Sequence, residues 1–326
     1  MKNTHPLLII AAIASAALAL SSCSSQGGSQ GGGSGIDATA YSNLTIAMVT
    51  HGAPGDTFWD IVRKGAEAAA KKNGVKLLYA NDPDGSKQAQ LVQQYTDQKV
   101  DGIAVSLAKP EAVASAVEAA VAAKIPVVSL NAGSSSWQKL GILTHFGQDE
   151  AVAGKAVGAA LKAKKFSKPI CVIHEQGNVS LEARCGGVKA VLPNTEILYV
   201  TGTDNSAIAS TVTAKLQTSP TADSIVGLAA PVTVIILAAV ATAKSKIAVA
   251  SFDLNAELAQ AVKLGLIELT VDQQPYLQGY EAIDSLVLYN TGGFIIGGGE
   301  ATLTGPAIVD EDNVDDVLKY SQQGLR

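Results

Sequence analysis

The stretch from Leu44 to Lys72 reads LTIAMVTHGAPGDTFWDIVRKGAEAAAKK. It opens on a short apolar run, passes through a Gly/Pro turn and, from Phe58, places Phe58, Ile61, Val62, Ala66 and Ala69 at helical spacing, with Arg63, Lys64 and Glu67 off that stripe. Strand, tight turn and amphipathic helix form the repeating unit of parallel sheets covered by helices. Gly52 and Gly55 let the turn fold tightly, so that His51, Asp56 and the adjacent rings of Phe58 and Trp59 gather at the carboxyl end of the strand. Aromatic residues make up 5% of the chain and only two are tryptophan, so two rings side by side here call for a purpose.

Outward from this unit the same alternation continues. Further strands are expected at Val75 (VKLLY), Gly102 (GIAVS), Pro126 (PVVSL), Pro169 (PICVIH), Glu196 (EILYV), Ser224 (SIVGL), Ile247 (IAVASF) and Leu266 (LIELTV), with alanine-rich helices between them. The alternation runs twice, from Leu44 to about Phe146 and from about Gln148 to Val271, which predicts an α/β fold of two doubly wound parallel-sheet domains. In such sheets ligands sit beyond the carboxyl ends of the strands, so the residues just after each strand carry the chemistry. The run IVGLAAPVTVIILAAVATA from Ile225 to Ala243 carries no charge, but Pro231 breaks it into a buried strand ending at Leu228 and a buried helix up to Lys244.

The N-terminus lies outside this pattern. Lys2 followed by the apolar run from Leu7 to Leu20 is a signal peptide, residues 1–22, too short to span a bilayer core. It ends in Leu20-Ser21-Ser22-Cys23, which resembles a bacterial lipobox; the resemblance implies cleavage before Cys23 and a diacylglycerol on its thiol. Residues 23–36 then form a Gly/Ser/Gln tether with nothing to bury. The chain carries 24 basic and 29 acidic residues, a net charge of −5, which argues against a nucleic-acid partner. Cys171 and Cys185, in an oxidising compartment and without metal spacing, are expected as a disulfide, with two buried thiols as the alternative. No metal motif, nucleophile elbow or Walker loop is present, so no enzyme activity and no cofactor are expected. The acidic turn NDPDG at Asn81 lacks the closing glutamate of a calcium loop and reads as a turn and helix cap.

The strand ends supply the candidate site: His51, Asp56, Phe58 and Trp59; Asn131; Asn178 and Arg184; Asp253 and Asn255; and Gln273. His174 is set aside as a structural histidine. Arg184 has a competing reading as a partner of Glu182, and Asp253 and Asn255 as caps of a helix starting near Ala256. Carboxylates and amides each engage two hydroxyls at once, a guanidinium donates to oxygen, and rings cover apolar C–H faces, which together suit a sugar or polyol.

In AMVTHGAPGDTFW…GAEAAAKK, PVVSLNAG, SFDLN and VDQQPYLQGY the chain resembles, over nearly 290 residues, the periplasmic sugar-binding proteins of ABC transporters, the group that includes the ribose-binding and glucose/galactose-binding proteins. The resemblance implies a type I architecture with a three-segment hinge, crossing near Gly147–Gln148, Gln273–Gln274 and Thr302–Pro306. Residues 37–147 plus 274–303 would form the N-terminal domain and 148–273 plus 304–326 the C-terminal one. It further implies a monomer tethered to the bacterial cell membrane outside the cytoplasm, closing on its ligand and delivering it to a permease. Phe58 and Trp59 match the aromatic pair that flanks the sugar, Asp56 a ligand-binding asparagine, and Arg184 an arginine that holds a hydroxyl. Asp253 and Gln273 match the family's aspartate and glutamine. Asn131-Ala132 replaces an Asp-Arg pair and Ala229 replaces an asparagine; the less charged pocket points to a pentitol or an inositol. Of the two rings, Trp59 is expected to stack on the ligand while Phe58 shares the core. A sensor presenting a sugar-like signal to a membrane receptor is the alternative to a transport component.

Overall fold

A computed structural model describes residues 43–326 apart from residue 203. The signal segment, Cys23 and the tether lie outside the described residues. The first sheet contains β1 (Thr45–Thr50), β2 (Lys76–Asn81), β3 (Gly102–Ser106), β4 (Val127–Asn131), β5 (His145–Gln148) and, from far along the chain, β11 (Thr302–Gly305), in the order β11-β5-β4-β3-β1-β2. The second contains β6 (Pro169–Ile173), β7 (Glu196–Tyr199), β8 (Ser224–Gly227) and β9 (Ala248–Ala250), in the order β7-β6-β8-β9. All pairings within these two sheets are parallel.

Helices α1 (Thr57–Asn73), α2 (Gly85–Asp97), α3 (Pro110–Ala122) and α9 (Pro275–Gly292) cover the first sheet. Helices α4 (Glu150–Ala163), α5 (Val179–Val191), α6 (Asn205–Thr218), α7 (Ala230–Thr242) and α8 (Ala256–Lys263) cover the second, and α10 (Val314–Gln322) packs on α8. The period-two alternation of the central strands divides each core. Ile46 and Met48 of β1 face α1 and α9, while Ala47 and Val49 face α2 and α3. In β6, Ile170 and Val172 face one way, and Cys171 and Ile173 the other.

The two halves repeat one construction. Each central strand feeds a helix that packs closely on the helix entered from a crossing between the sheets: α1 on α9, and α5 on α4. Gly65 of α1 and Gly279 of α9 leave no room for a Cβ against the opposing carbonyl oxygens of Tyr276 and Val62, and Gly154 of α4 and Gly187 of α5 do the same on the other side. Cys171 and Cys185 form a disulfide that fastens β6 to α5 inside this second core.

The chain passes between the sheets three times: from β5 into α4, from β10 (Thr270–Asp272) into α9, and from β11 into β12 (Ala307–Val309). Here the structure corrects the placement of the last strand of the second half. The strand foreseen from Leu266 begins at Thr270 and pairs antiparallel with β12 in a separate two-stranded ribbon, joined to β9 by a single bridge from Leu269 to Ala250. Gly265 and Leu266 instead finish α8, with their N–H groups returning to Val262 and Ala261. Among the described residues no helix is long and apolar enough to cross a membrane, and Ile225–Ala243 divides into β8 and α7.

Candidate functional site

The loops at the carboxyl ends of both sheets enclose a cavity of about 130 Å³. Of the candidate residues, His51, Asp56, Phe58, Trp59 and Asn131 reach it from the first sheet. Asn178, Arg184, Asp253 and Gln273 reach it from the second sheet and the crossing after β10.

Asp56 and Asn178 occupy equivalent positions as the N-caps of α1 and α5. Asp56 Oδ1 accepts from the Phe58 N–H at 2.9 Å, and Asn178 Oδ1 from those of Ser180 and Leu181 at 3.0 and 3.4 Å. Capping and ligand contact are therefore compatible, since each side chain keeps a second polar atom. Burial raises the Asp56 carboxyl to a pKa of about 6.

Phe58 and Trp59 are each 6% exposed and meet edge to face with centroids 5.3 Å apart. The core position expected of Phe58 and the cavity position expected of Trp59 are both present, and each ring occupies both. Both pack into the core of the first half and both line the cavity, because α1 begins at the cleft rim and its first turn faces cavity and sheet together. The His51 ring lies edge-on to Trp59 at 4.7 Å.

Arg184 is the most constrained side chain of the floor. Its Nε and Nη2 donate to Glu150 at 2.6 and 2.9 Å, its Nη1 donates to the Leu228 carbonyl at 2.8 Å, and Asp253 lies 3.6 Å from Nη1. The guanidinium also lies over the Phe252 ring at 4.9 Å. The alternative partner, Glu182, instead accepts from the Tyr199 hydroxyl at 3.2 Å. Burial alone would lower the Arg184 pKa; the charges of Glu150 and Asp253 outweigh it and raise the value. For Asp253 burial dominates over Arg184 and raises the pKa to about 6.

Asp253 and Asn131 both take left-handed backbone, at φ 67° and 62°, as they leave their strands. Gln273 joins them: its Nε2 donates to Asp253 Oδ1 at 2.6 Å, and its Oε1 accepts from Asn131 at 3.2 Å and from Gln278 at 2.9 Å. Gln278 continues to the Thr304 hydroxyl at 3.1 Å, so one hydrogen-bonded chain links the cavity floor to the second and third crossings.

Two corrections concern individual residues. Asn255 does not line the cavity; its Oδ1 caps α8 by accepting from the Leu258 N–H at 2.8 Å. His174, set aside from sequence, does line it, as do Glu175 and Pro83. The signal for His174 was available in its position, first after β6 as His51 is first after β1. At the mouth, the Val179 N–H at the start of α5 donates to the Ala108 carbonyl at 3.0 Å and Lys109 pairs with Glu175 at 3.2 Å, each linking one half to the other. Among the described residues no group of three or more His, Cys, Asp or Glu side chains is placed to hold a metal ion.

A family model described as "Periplasmic binding protein domain" matches residues 46–293. The ribose import binding protein of Bacillus subtilis is 26% identical over 235 residues, which are 70% of this chain and 76% of that protein. A solved carbohydrate transporter from Acidothermus cellulolyticus 11B, in complex with myo-inositol, is 48% identical with a TM-score of 0.86, over 87% of this chain and 100% of that one. A solved ABC transporter solute-binding protein from Burkholderia graminis C4D1M, in complex with D-arabinose, is 28% identical with a TM-score of 0.71, over 83% and 96% of the two chains.

Proposed function

The chain belongs to the periplasmic binding protein domain family, and from that premise we propose that it is the extracytoplasmic substrate-binding component of an ABC importer, capturing a sugar or polyol in its cleft. The observation that carries this reading is the convergence, from both sheets, of three carboxylates, three amides and one guanidinium with the rings of Phe58 and Trp59 around one cavity. A polyol needs such a site, because each hydroxyl both donates and accepts and the ring carbons present apolar faces. Ala229 leaves the start of α7 without a side-chain cap and adds no polar group there. That composition, together with the inositol held by the 48% identical relative, favours a cyclic polyol.

No bond is made or broken. Ligand touching both halves stabilises the closed form over the open one, and the three crossings form the hinge about which the domains, divided near residues 147, 273 and 303, rotate. Candidate contacts are Asp56, Asn131, Asn178, Arg184, Asp253 and Gln273 for hydroxyls, with Phe58 and Trp59 against the carbon skeleton. Lipid on Cys23 and the tether would keep the monomer at the membrane beside its permease; a Cys23→Ser protein should then leave the membrane fraction. A thermal-shift panel of pentoses, hexoses, inositols and linear polyols tests the ligand class: a binder raises the melting temperature, by about 2.7 kcal/mol of stabilisation at a hundred times its Kd. A shift with amino acids or peptides and none with polyols would refute it.

A further inference from the structure

The carboxyl ends of both sheets face the cavity, so the amino ends of their strands lie at the two outer ends of the fold. The chain enters at the outer end of the first half, where Leu44 runs into β1. That entry is fastened to its surroundings. The Lys76 N–H donates to the Leu44 carbonyl at 2.9 Å and the Thr45 N–H to Asp101 Oδ2 at 2.7 Å. Asn290 Nδ2, in the last turn of α9, donates to the Asp101 carbonyl at 2.9 Å. The loop that follows α9 is therefore a neighbour of the point where the chain enters, and Leu44 and Ile296 pack against the same core.

From Phe294 to Glu300 that loop reads FIIGGGE. Ile296 turns inward, Thr144 Oγ1 donates to the Glu300 carbonyl at 2.9 Å, and Gly297, Gly298 and Gly299 take left-handed backbone. Phe294 and Ile295 are left outside, Phe294 with 63% of its surface exposed, whereas Phe58, Phe146 and Phe252 are buried. Lys71, Lys76, Lys99, Lys124 and Lys139 stand exposed at the same end, on the segments leading into β2, β3, β4 and β5. None of the five has an ion-pair partner among the described residues. Of the carboxylates there, Asp101 is spent on the Thr45 N–H, and Asp97 and Glu300 are exposed. In a chain of net charge −5 this end is basic on balance. Lysines also follow helices at the far end, as Lys244 and Lys246 do, where they complement helix dipoles. What the far end lacks is the entry of the chain.

We propose that this end of the first half docks on an anionic phospholipid surface, with Phe294 and Ile295 entering the headgroup boundary and the surrounding lysines meeting lipid phosphates. This rests on the Cys23 anchor of the proposed function and adds an orientation to it. About twenty residues separate Cys23 from Leu44, and a glycine-rich chain of that length has a root-mean-square span of about 25 Å. The 17 residues of α1 cover about the same length. The entry end is therefore the part of the fold held nearest the lipid. Contact by a tethered surface is intramolecular, at an effective concentration in the millimolar range, so a weak contact is enough to be populated. An aromatic ring and an aliphatic chain at the boundary, with lysine stems lying along it and ammonium groups at the phosphates, are the groups such a surface accepts. Docked in this way, the first half keeps its cavity end clear of lipid.

The test uses the full acylated chain in vesicles of phosphatidylethanolamine and phosphatidylglycerol with brominated acyl chains. Phe294→Trp puts a reporter on the loop, and Leu264→Trp puts one at the far end, where Leu264 is also 63% exposed. Trp59 and Trp137 are buried and give both variants the same background. Bromine quenches rings that reach the acyl boundary, so the first variant should lose at least about half of its added emission and the second less than about a tenth. Equal quenching at both ends overturns the proposal, as does none at position 294, the result expected if a second copy covers the loop. Wild type supplies a measurement that needs no variant to fold. Acetylation of Lys76, Lys99 and Lys124 should slow at least about threefold when phosphatidylglycerol replaces phosphatidylcholine, with Lys244 and Lys246 unchanged. Rates that change alike at both ends overturn the proposal too. If Cys23 carries no lipid, the anchor itself is wrong and this inference falls with it; polyol titration of the same sample tests the cleft separately.

Discussion

Arg184 donates from Nε and Nη2 to both carboxylate oxygens of Glu150, at 2.6 and 2.9 Å, beneath the cavity. Both side chains are almost fully buried, so the pair fixes the guanidinium plane before any ligand arrives. Glu150→Ala should cost about 3–5 kcal/mol of stability in urea unfolding, because it strands a buried charge. Arg184→Lys keeps the charge but loses the fork that reaches Glu150 and the Leu228 carbonyl together. Polyol affinity should then fall at least about tenfold, with the loss read by calorimetry.

The cleft mouth should act mainly on release. Lys109 and Glu175 remain partly exposed, with 32% and 21% of their side-chain surfaces accessible, so the pair contributes only about 0–1 kcal/mol. Glu175→Gln should raise Kd less than about fivefold, and stopped-flow release should account for most of the change. Raising salt should reproduce part of the effect in wild type and none of it in the variant.

Acid should weaken binding near pH 6 rather than near the ordinary carboxylate range. Asp56 and Asp253 both have pKa values raised to about 6, chiefly by burial. Ligand hydroxyls donate to the ionised forms, so binding favours deprotonation, and protonation replaces an acceptor by a donor. Affinity should therefore hold above about pH 7 and fall as pH drops from 7 to 5. His51 and His174, at about 4, stay neutral through that window and do not produce the change. Calorimetry across pH 5–8 with Asp56→Asn should show a shallower decline.

The disulfide should matter to stability and not to recognition. Cys171 and Cys185 are 14 residues apart and join β6 to α5 in the core, outside the cavity lining. Cross-linking a loop of that length stabilises by about 3 kcal/mol. The double Cys171→Ala, Cys185→Ala protein should unfold at correspondingly lower urea, with ligand affinity unchanged at equilibrium under folded conditions.

What was legible in the sequence was legible for physical reasons. Strands such as Gly102–Ser106 and Ser224–Gly227 are buried on both faces and read as continuous apolar runs. Three strands gave no such signal. His145–Gln148 mixes histidine, glycine and glutamine, while Thr302–Gly305 and Ala307–Val309 are four and three residues long; each is held by its neighbours in the sheet rather than by its own pattern. The same split governs the site. Residues just after central strands, such as His51 and Asp253, follow from the architecture. Glu150 does not, because its role depends on α4 packing against α5, a contact the linear sequence does not display. His174 lines the same cavity from a place after β6 that mirrors that of His51 after β1.

We propose that one polyol bridges the two halves through the Asp253–Gln273 network. The most direct measurement is calorimetric titration of wild type and of Asp253→Ala, Gln273→Ala protein with myo-inositol and the pentose and pentitol panel, each protein's melting recorded alongside. Wild type should show saturable one-to-one binding of at least one polyol, and the variant should lose that binding while still melting cooperatively. A variant that binds the polyol as tightly as wild type would contradict it.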